Sequence, residues 1–421
     1  MQELRDCRKK TESYAVNILF LTSTLPRFDG DQQASFVLHQ ATAWKSARPN
    51  DDVRILAPHD IAAEKLEIRS GVTIHRFEYF RPNSLQRLAY PAILPNLRRN
   101  RWLAFLIPFF LLGEYWAAIR LIREHQTDVI YAHWVMPQGV IAYLLHKRTG
   151  VPFTLQNHSS DLSIFNSLPF GRSVARRVVG SAKVFFCVNR EQLGNALSLF
   201  DGAVRKSVAK KCFVYPMGVT VSRSMARSCD LETSSSILYK RDFGVISRLS
   251  RKKGIEYFIA AMEKLDSKSI RYRAGIAGDG EFASELRAAG VKCGVEFLGF
   301  LDGEDKAEFF CSTRFFVFPS VVDGQDVEGM PVALLEAMYC GKLVVASAAT
   351  NIKLLPEWNE IKNGVFLLDD VRDADQFSKV LERMLALSDN DIRRISTALS
   401  AAIGKYEWRK LIHKYIEPVL S

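Results

Sequence analysis

FPSVVDGQDVEGMPVALLEAMYCGKLVVAS, residues 318–347, reads as a strand end, a loop, a helix and a second strand. FFVFPS (315–320) and KLVVAS (342–347) are short runs of aromatic and β-branched residues, the composition of strands buried on both faces. VALLEAMYCG (332–341) is a helical stretch, and Pro331 suits a first helical position. A strand, a helix and a strand in this order predict two parallel strands joined by a crossover.

The same pattern runs outward in both directions. DFGVISRL (242–249), YRAGIAG (272–278) and GVEFLGF (294–300) are strand-like, while GIEYFIAAMEKL (254–265) and ADQFSKVLERMLAL (374–387) are helix-like. In the first half VNILFL (16–21), VRILAP (53–58), TDVIYAHW (127–134), VPFTLQNH (151–158) and AKVFFCVN (182–189) alternate with helical segments such as SFVLHQATAWKSA (35–47). Residues 219–237 are polar and aperiodic, as a linker is. The chain therefore divides into a polar arm (1–14), an α/β domain (15–218, with 405–421 returning to it), a linker (219–239) and a second α/β domain (240–404). Two such domains make a cleft, and open parallel sheets bind ligands beyond the carboxyl ends of their strands.

Composition narrows the partners. With 421 residues, 48% hydrophobic and 24% charged, the chain is ordinary globular protein. Its net charge of +11 fits an anionic ligand, an anionic membrane or a solvated basic surface. No zinc-finger spacing or RNP-like aromatic signature points to nucleic acid. Seven cysteines, an odd number with no Cys-x-x-Cys pair, argue for reduced thiols in a cytoplasm. No apolar run has the length of a membrane-spanning helix. The longest, WLAFLIPFFLL (Trp102 to Leu112), is flanked by Arg98, Arg99 and Arg101 on one side and Arg120 and Arg123 on the other. It is either a helix buried on the sheet or an interfacial segment lying on an anionic bilayer, and the basic chain favours the second.

Two constellations carry chemistry. Glu328 stands before the helix that opens at Pro331, and Glu336 is eight residues on, about two turns into it. A carboxylate beside unpaired helix amides can accept sugar hydroxyls, and one deeper along can hold a ribose diol. Two solvated acids on a surface helix would share this spacing. In GVISRLSRKKGIEYF, Arg248 and Lys253 occupy a strand-to-helix loop, where a guanidinium, an ammonium and free helix amides suit a diphosphate; the same loop also reads as a solvated basic turn. His133 and His158 both end predicted strands. Asp161, three residues on, favours His158 for the site.

These strings, together with AGDGEFASEL (277–286), DVIYAHWVMPQGVIAYLLHKRTGVPFTLQNHSSD (128–161) and STLPRFDGDQQASFVLHQA (23–41), resemble family-4 glycosyltransferases, the retaining GT-B group with an E-x7-E motif. The likeness runs from about residue 16 to the end. It implies two Rossmann-like domains facing across a cleft, with YEWRKLIHKYIEPVL (406–420) crossing back to the first. It implies that Glu328, with the backbone at Gly329, Met330 and Pro331, meets the donor sugar, that Glu336 binds the ribose, and that Arg248 and Lys253 neutralise the diphosphate. His158 and Asp161 match the family's H-G-x-D segment near the reacting carbon, and Gly30 lies in a loop whose backbone faces the phosphates. Ser159 replaces the usual glycine, Gly30 lacks an adjacent glycine, and MGVT (217–220) lacks the hinge asparagine and aspartate.

The expected reaction moves a hexose from a UDP- or GDP-linked donor, with retention, to a hydroxyl of a lipid-linked saccharide. It serves cell-envelope polysaccharide or glycolipid synthesis at the inner face of the cytoplasmic membrane, with no metal or cofactor. The alternatives are a GT-B nucleotide-sugar epimerase and a non-catalytic sugar-nucleotide-binding subunit of a membrane assembly.

Overall fold

A computed structural model describes residues 14–421 apart from 34, 159, 222–224, 226–238 and 323–327, with Ser160, Asp161 and Ser167 given by backbone alone. It divides into two compact units, Met1–Gly218 with Trp408–Ser421, and Val219–Glu407. Nearly all of the expected N-terminal arm and most of the expected linker lie outside the described residues.

The first unit is built on β1 (Asn17–Leu21), β2 (Asp52–Pro58), β3 (Leu66–Arg69), β4 (Val72–Phe77), β5 (Val129–His133), β6 (Phe153–Gln156), β7 (Val184–Cys187) and β8 (Cys212–Val214). Their order across the sheet is β3-β4-β2-β1-β5-β6-β7-β8. Ile18 of β1 is in register with Val53 on one side and Val129 on the other, both in parallel. The direction of strand addition reverses between β1 and β5, which puts a ligand crevice at their carboxyl ends. The wholly parallel sheet expected from sequence is corrected at one edge. Residues 66–77 form an antiparallel hairpin, β3 with β4, turned at Ser70 and Gly71 with φ of 50° and 79°. Such paired positive φ values make the tight turn that matches strand twist. The segment escapes a search for buried runs because Glu67, Arg69, His75 and Arg76 interrupt its apolar residues.

Helices α1 (Phe36–Ala47), α2 (Ile93–Arg99), α3 (Ile107–Glu124) and α4 (Val140–Thr149) pack on this sheet with others. A 3-10 turn, Arg101–Leu106, leads into α3. Arg101–Glu124 is one rod of 24 residues, long and apolar enough by length and composition to cross a membrane. The apolar run ends at Leu112, but the helix continues because Glu114 is turned into the core. Its inner face is core: Phe110 meets Phe77 and Tyr79 edge-on at 5.1 and 5.3 Å. Phe110 is therefore no part of an interfacial surface. The opposite face leaves Trp102, Phe105, Phe109, Leu112 and Trp116 exposed.

The terminal helix, Trp408–Leu420, completes the first unit. It buries Trp408, Leu411, Ile412, Tyr415, Ile416 and Val419. The Tyr415 hydroxyl lies 3.1 Å from the carbonyls of Tyr215 and Pro216, and Lys183 donates to the Val419 carbonyl.

The second unit holds β9 (Arg241–Ile246), β10 (Ala274–Ala277), β11 (Glu296–Gly299), β12 (Thr313–Phe318), β13 (Leu343–Ser347) and β14 (Val365–Leu368) in the order β11-β10-β9-β12-β13-β14, all parallel. The order reverses between β9 and β12. Two helices open beside that reversal, α5 (Ile255–Ser267) after β9 and α6 (Val332–Tyr339) after β12.

Candidate functional site

In the second unit the reversal of strand order places the loops after β9 and β12 side by side. The first carries Arg248 and Lys253, the second Glu328. Gly254, with φ of 62°, closes the 3-10 turn Arg251–Lys253 and opens α5; a Cβ there would lie 2.1 Å from the Pro319 carbonyl. Only glycine lets the two loops approach so closely. Val321 N then donates to the Lys252 carbonyl at 2.8 Å and ties them together.

Lys253 Nζ donates to Glu328 Oε2 at 2.6 Å, with both side chains largely shielded from water. Burial pushes the Glu328 carboxyl up, but the neighbouring charges of Lys253 and Lys252 and the hydrogen bond from Lys253 outweigh it, so the carboxyl is held below its ordinary range. The backbone at Glu328 is fixed as well. Asn351, in a left-handed conformation at φ 59°, donates its Nδ2 to the carbonyls of Glu328 and Gly329 at 2.9 and 3.2 Å. Gly329, Met330 and Pro331 are shielded from water where they enter α6.

The helix starts later than the sequence suggested. Pro331 is the residue that caps α6, not its first residue, and α6 begins at Val332. Glu336, four residues past Val332, lies a little over one turn into it; the two turns expected from sequence count the spacing from Glu328, which stands outside the helix. Its side chain is buried and accepts from Lys306 Nζ at 2.8 Å. Arg248 is turned elsewhere. Its Nε and Nη2 donate to Glu281 Oε2 at 3.2 and 3.1 Å, in a pair that is well exposed.

In the first unit His133 ends β5 and His158 follows β6. Their rings are nearly parallel, at 19°, with His133 Nδ1 and His158 Nε2 2.8 Å apart. Desolvation drives both imidazoles well below the ordinary histidine range, so the pair is neutral, one ring donating and the other accepting. Phe36 and Trp134 pack against His158 at 4.7 and 4.9 Å between centroids. Trp134 itself has φ 70°, a conformation uncommon outside glycine and a mark of a constrained site. Asp161, whose proximity favoured His158, has a side chain outside the described residues. The partner observed is His133. Gly30 has φ 80° in the loop after β1, whose turn is closed by Arg27 donating to Asp31 through Nε and Nη2 at 2.8 and 2.9 Å.

The fold thus joins Lys253 with Glu328, and His133 with His158. It gives Arg248 and Glu336 partners the sequence reading did not anticipate, Glu281 and Lys306. Asn351 was missed altogether. Its only sequence signal is that asparagine tolerates left-handed turns. What this arrangement can do is hold charge: a shielded ammonium at the opening of α5 suits an anion, and the shielded carboxylates suit hydroxyls.

Two family models match the chain. Residues 33–205 match the glycosyl transferase 4-like domain, and residues 240–387 match the glycosyl transferases group 1. A putative teichuronic acid biosynthesis glycosyltransferase of Bacillus subtilis is 25% identical over 334 residues, 77% of this chain and 78% of that protein. A GDP-mannose-dependent monoacylated alpha-(1-6)-phosphatidylinositol monomannoside mannosyltransferase of Corynebacterium glutamicum is 26% identical over 303 residues, 69% of this chain and 75% of that protein. Among solved structures, HepE of Anabaena in complex with UDP-glucose superposes with a TM-score of 0.63 at 18% identity, covering 95% of this chain and 98% of that one. The fold is GT-B, and each of the two units matches a glycosyl transferase family model.

Proposed function

We propose that the protein transfers a hexose from a nucleotide diphosphate sugar, UDP- or GDP-linked, to a hydroxyl of a lipid-linked saccharide, with retained anomeric configuration. The observation that carries this is the Lys253–Glu328 pair at the strand-order reversal of the second unit. A diphosphate entering there meets Lys253 at the opening of α5, and Arg248 joins it by exchanging its exposed pair with Glu281 for the phosphate. As the sugar C1–oxygen bond breaks, negative charge grows on the departing diphosphate, and stabilising it is the main catalytic task. Glu328 and the Gly329–Pro331 backbone orient the sugar, and Glu336 takes the ribose diol. The acceptor oxygen bonds to C1 on the face the diphosphate leaves, and its proton passes to the leaving phosphate oxygen. Held neutral, His158 with His133 supplies hydrogen bonds near C1 without adding a charge. Gly30 lends backbone near the phosphates, and Asp161 belongs to the same segment as His158. No metal or other cofactor is needed.

The relatives named above are a putative teichuronic acid biosynthesis glycosyltransferase and a mannosyltransferase of a phosphatidylinositol mannoside, which supports a cell-envelope role and a lipid-linked acceptor. The basic chain and the exposed aromatic face of α3 support a peripheral position on the inner face of the cytoplasmic membrane. The test is release of nucleoside diphosphate from UDP-glucose and GDP-mannose with extracted envelope lipid as acceptor. Lipid-dependent release that vanishes in Lys253→Ala supports the reading; no release from any nucleotide sugar refutes it.

A further inference from the structure

The β3–β4 hairpin carries a charged cluster for which the donor chemistry has no use. Glu67 and Arg69 stand on β3 and Arg76 on β4. Glu67 Oε2 accepts from Arg69 Nε at 2.7 Å, and Glu67 Oε1 accepts from Arg76 Nη2 at 3.1 Å, so one carboxylate bridges two guanidinium groups. The cluster is shielded from water: the Arg76 side chain is 0% exposed, Arg69 13% and Glu67 16%.

Both guanidinium groups reach past the hairpin to one stretch of chain, 42 to 50 residues earlier. Arg76 Nη2 donates to the Pro26 carbonyl at 2.6 Å. Arg69 donates to the carbonyls of Pro26 and Arg27 at 3.4 and 3.0 Å, and its Nη1 lies 3.8 Å from Asp29 Oδ1. Arg76 Nη1 also donates to the Tyr90 hydroxyl at 2.7 Å, and the Arg27 guanidinium lies over the Tyr90 ring, 5.5 Å from its centre. From Arg27 onward the loop closes on itself. Asp31 Oδ2 accepts from Arg27 N at 2.7 Å, and Asp31 N donates to the Phe28 carbonyl at 3.2 Å. Gly30 lies within this closed segment at φ 80°, and among the described residues a Cβ there would meet nothing within 4 Å. The loop is gripped from the hairpin and open at Gly30.

Stability alone does not call for such a cluster. Taking a carboxylate and two guanidinium groups out of water is costly, and apolar side chains of similar volume often serve folding as well or better. What the charges add is direction. A guanidinium offers its donors in a fixed planar fork, and here the forks meet the Pro26 and Arg27 carbonyls in one arrangement. A glycine loop that could adopt several conformations is thereby held in one.

We propose that Glu67, Arg69 and Arg76 are positioning residues for the transfer reaction: they fix the carbonyls of Pro26 and Arg27 and so place the backbone of the Gly30 loop for the donor phosphates. The inference rests on the role given to Gly30 above and adds what holds that loop. The three residues act through the loop and not on the substrate. A loop displaced by about 1 Å can cost about a hundredfold in rate.

Steady-state kinetics alongside melting curves, on the full chain, test this. Glu67→Leu, Arg69→Met and Arg76→Leu together replace the cluster by apolar side chains. This variant should melt close to wild type. It should nevertheless lose about a hundredfold in kcat/KM for the nucleotide sugar, with the donor KM raised and the acceptor KM unchanged. Arg76→Lys, which keeps the charge and loses the fork, should shift the donor KM in the same direction by less. Lys65→Gln, which removes an exposed pair with Glu78 on the same hairpin, should change nothing. A cluster that only braces the fold would lower the melting temperature and the amount of active protein and leave both KM values in place. Wild-type kinetics in the folded apolar variant, or a fall in kcat with neither KM moved, therefore overturns the proposal. If the apolar variant does not fold, Arg76→Lys and Glu67→Gln carry the same comparison. Gly30→Val separates this inference from the reading beneath it, because valine is strained at that φ. Normal turnover in Gly30→Val removes the loop from the reaction, and the inference with it. Lost turnover in Gly30→Val beside normal donor kinetics in the cluster variants overturns the inference alone and leaves the role of the loop standing.

Discussion

Lys253 and Glu328 hold each other's charge in a site with little water. Removing one leaves the other buried and unpaired, which costs about 3–5 kcal/mol. Lys253→Ala should therefore both melt earlier and lose about two orders of magnitude or more in turnover. Lys253→Ala with Glu328→Gln should recover the melting temperature and not the turnover. Arg248 differs, because its pair with Glu281 is exposed and worth little to folding. Arg248→Ala should keep the wild-type melting curve and lose turnover on a similar scale. Normal rates in both single variants, measured as nucleoside diphosphate released, would remove the diphosphate from this loop. The two glutamates separate by ligand. Glu336→Ala should weaken both the nucleoside diphosphate and the full donor, whereas Glu328→Ala should weaken only the full donor. Calorimetry that finds equal losses for both ligands in both variants would refute the division. At this scale the sequence showed which side chains to watch and not whom they meet. Glu328 is 75 positions from Lys253 and Glu336 is 30 from Lys306, separations that only the sheet order closes.

At the scale of elements, strands buried on both faces were legible because they are continuous apolar runs: β1, β5, β7, β12 and β13 stand where such runs fall. The β3–β4 hairpin was not, because its polar face breaks the run, and β14 is only VFLL. α3 shows why a run of letters misjudges a helix. Its length depends on Glu114, which is fully buried and faces Gln138 at 3.4 Å. The Gln138 amide, oriented as its neighbours require, donates to the His133 carbonyl at 3.2 Å and accepts from Ser23 N at 3.1 Å. The atom facing Glu114 is then an acceptor, to which only a protonated carboxyl can donate. Burial agrees, pushing this carboxyl up to about 8. A raised folded-state pKa means stability that is fully present below the unfolded value and is lost as pH rises through about 8. Glu114→Gln cannot ionise. Its melting temperature relative to wild type should climb between about pH 5 and pH 8 and then level off. Parallel melting curves for the two proteins across that range would mean that Glu114 is not held protonated. Phe110→Ser should cost about 3 kcal/mol or more, as an emptied core site does, and Phe109→Ser much less.

At the scale of the whole molecule, the chain leaves the first unit at Gly218, builds the second, and returns to the first at Trp408. The terminal YEWRKLIHKYIEPVL was legible as a helix, but its energetic weight depends on what it covers. Tyr415 sits at 4.7 Å from Phe186 and against Gln156, deep in the first sheet, and Trp408 fills the space beside Gly218, where any Cβ would come within 2.4 Å of its ring. Six large apolar side chains are buried by this one helix. At about 1.5–3 kcal/mol each, their loss is comparable to or larger than the whole stability of a domain, about 5–15 kcal/mol. The second unit owes nothing internal to this helix, since its own sheet and helices all lie within Val219–Glu407. Two truncations should then behave oppositely. Residues 1–407 should lose the cooperative melting of the first unit. Residues 219–407 alone should fold, and a nucleoside diphosphate should raise their melting temperature by mass action, with UDP and GDP compared to identify the base. The shift should vanish with Lys253→Ala. A folded first unit in 1–407, read by its melting transition, would show that the terminal helix is dispensable; a folded 219–407 that ignores every nucleoside diphosphate would show that its loops after β9 and β12 are not a donor site on their own.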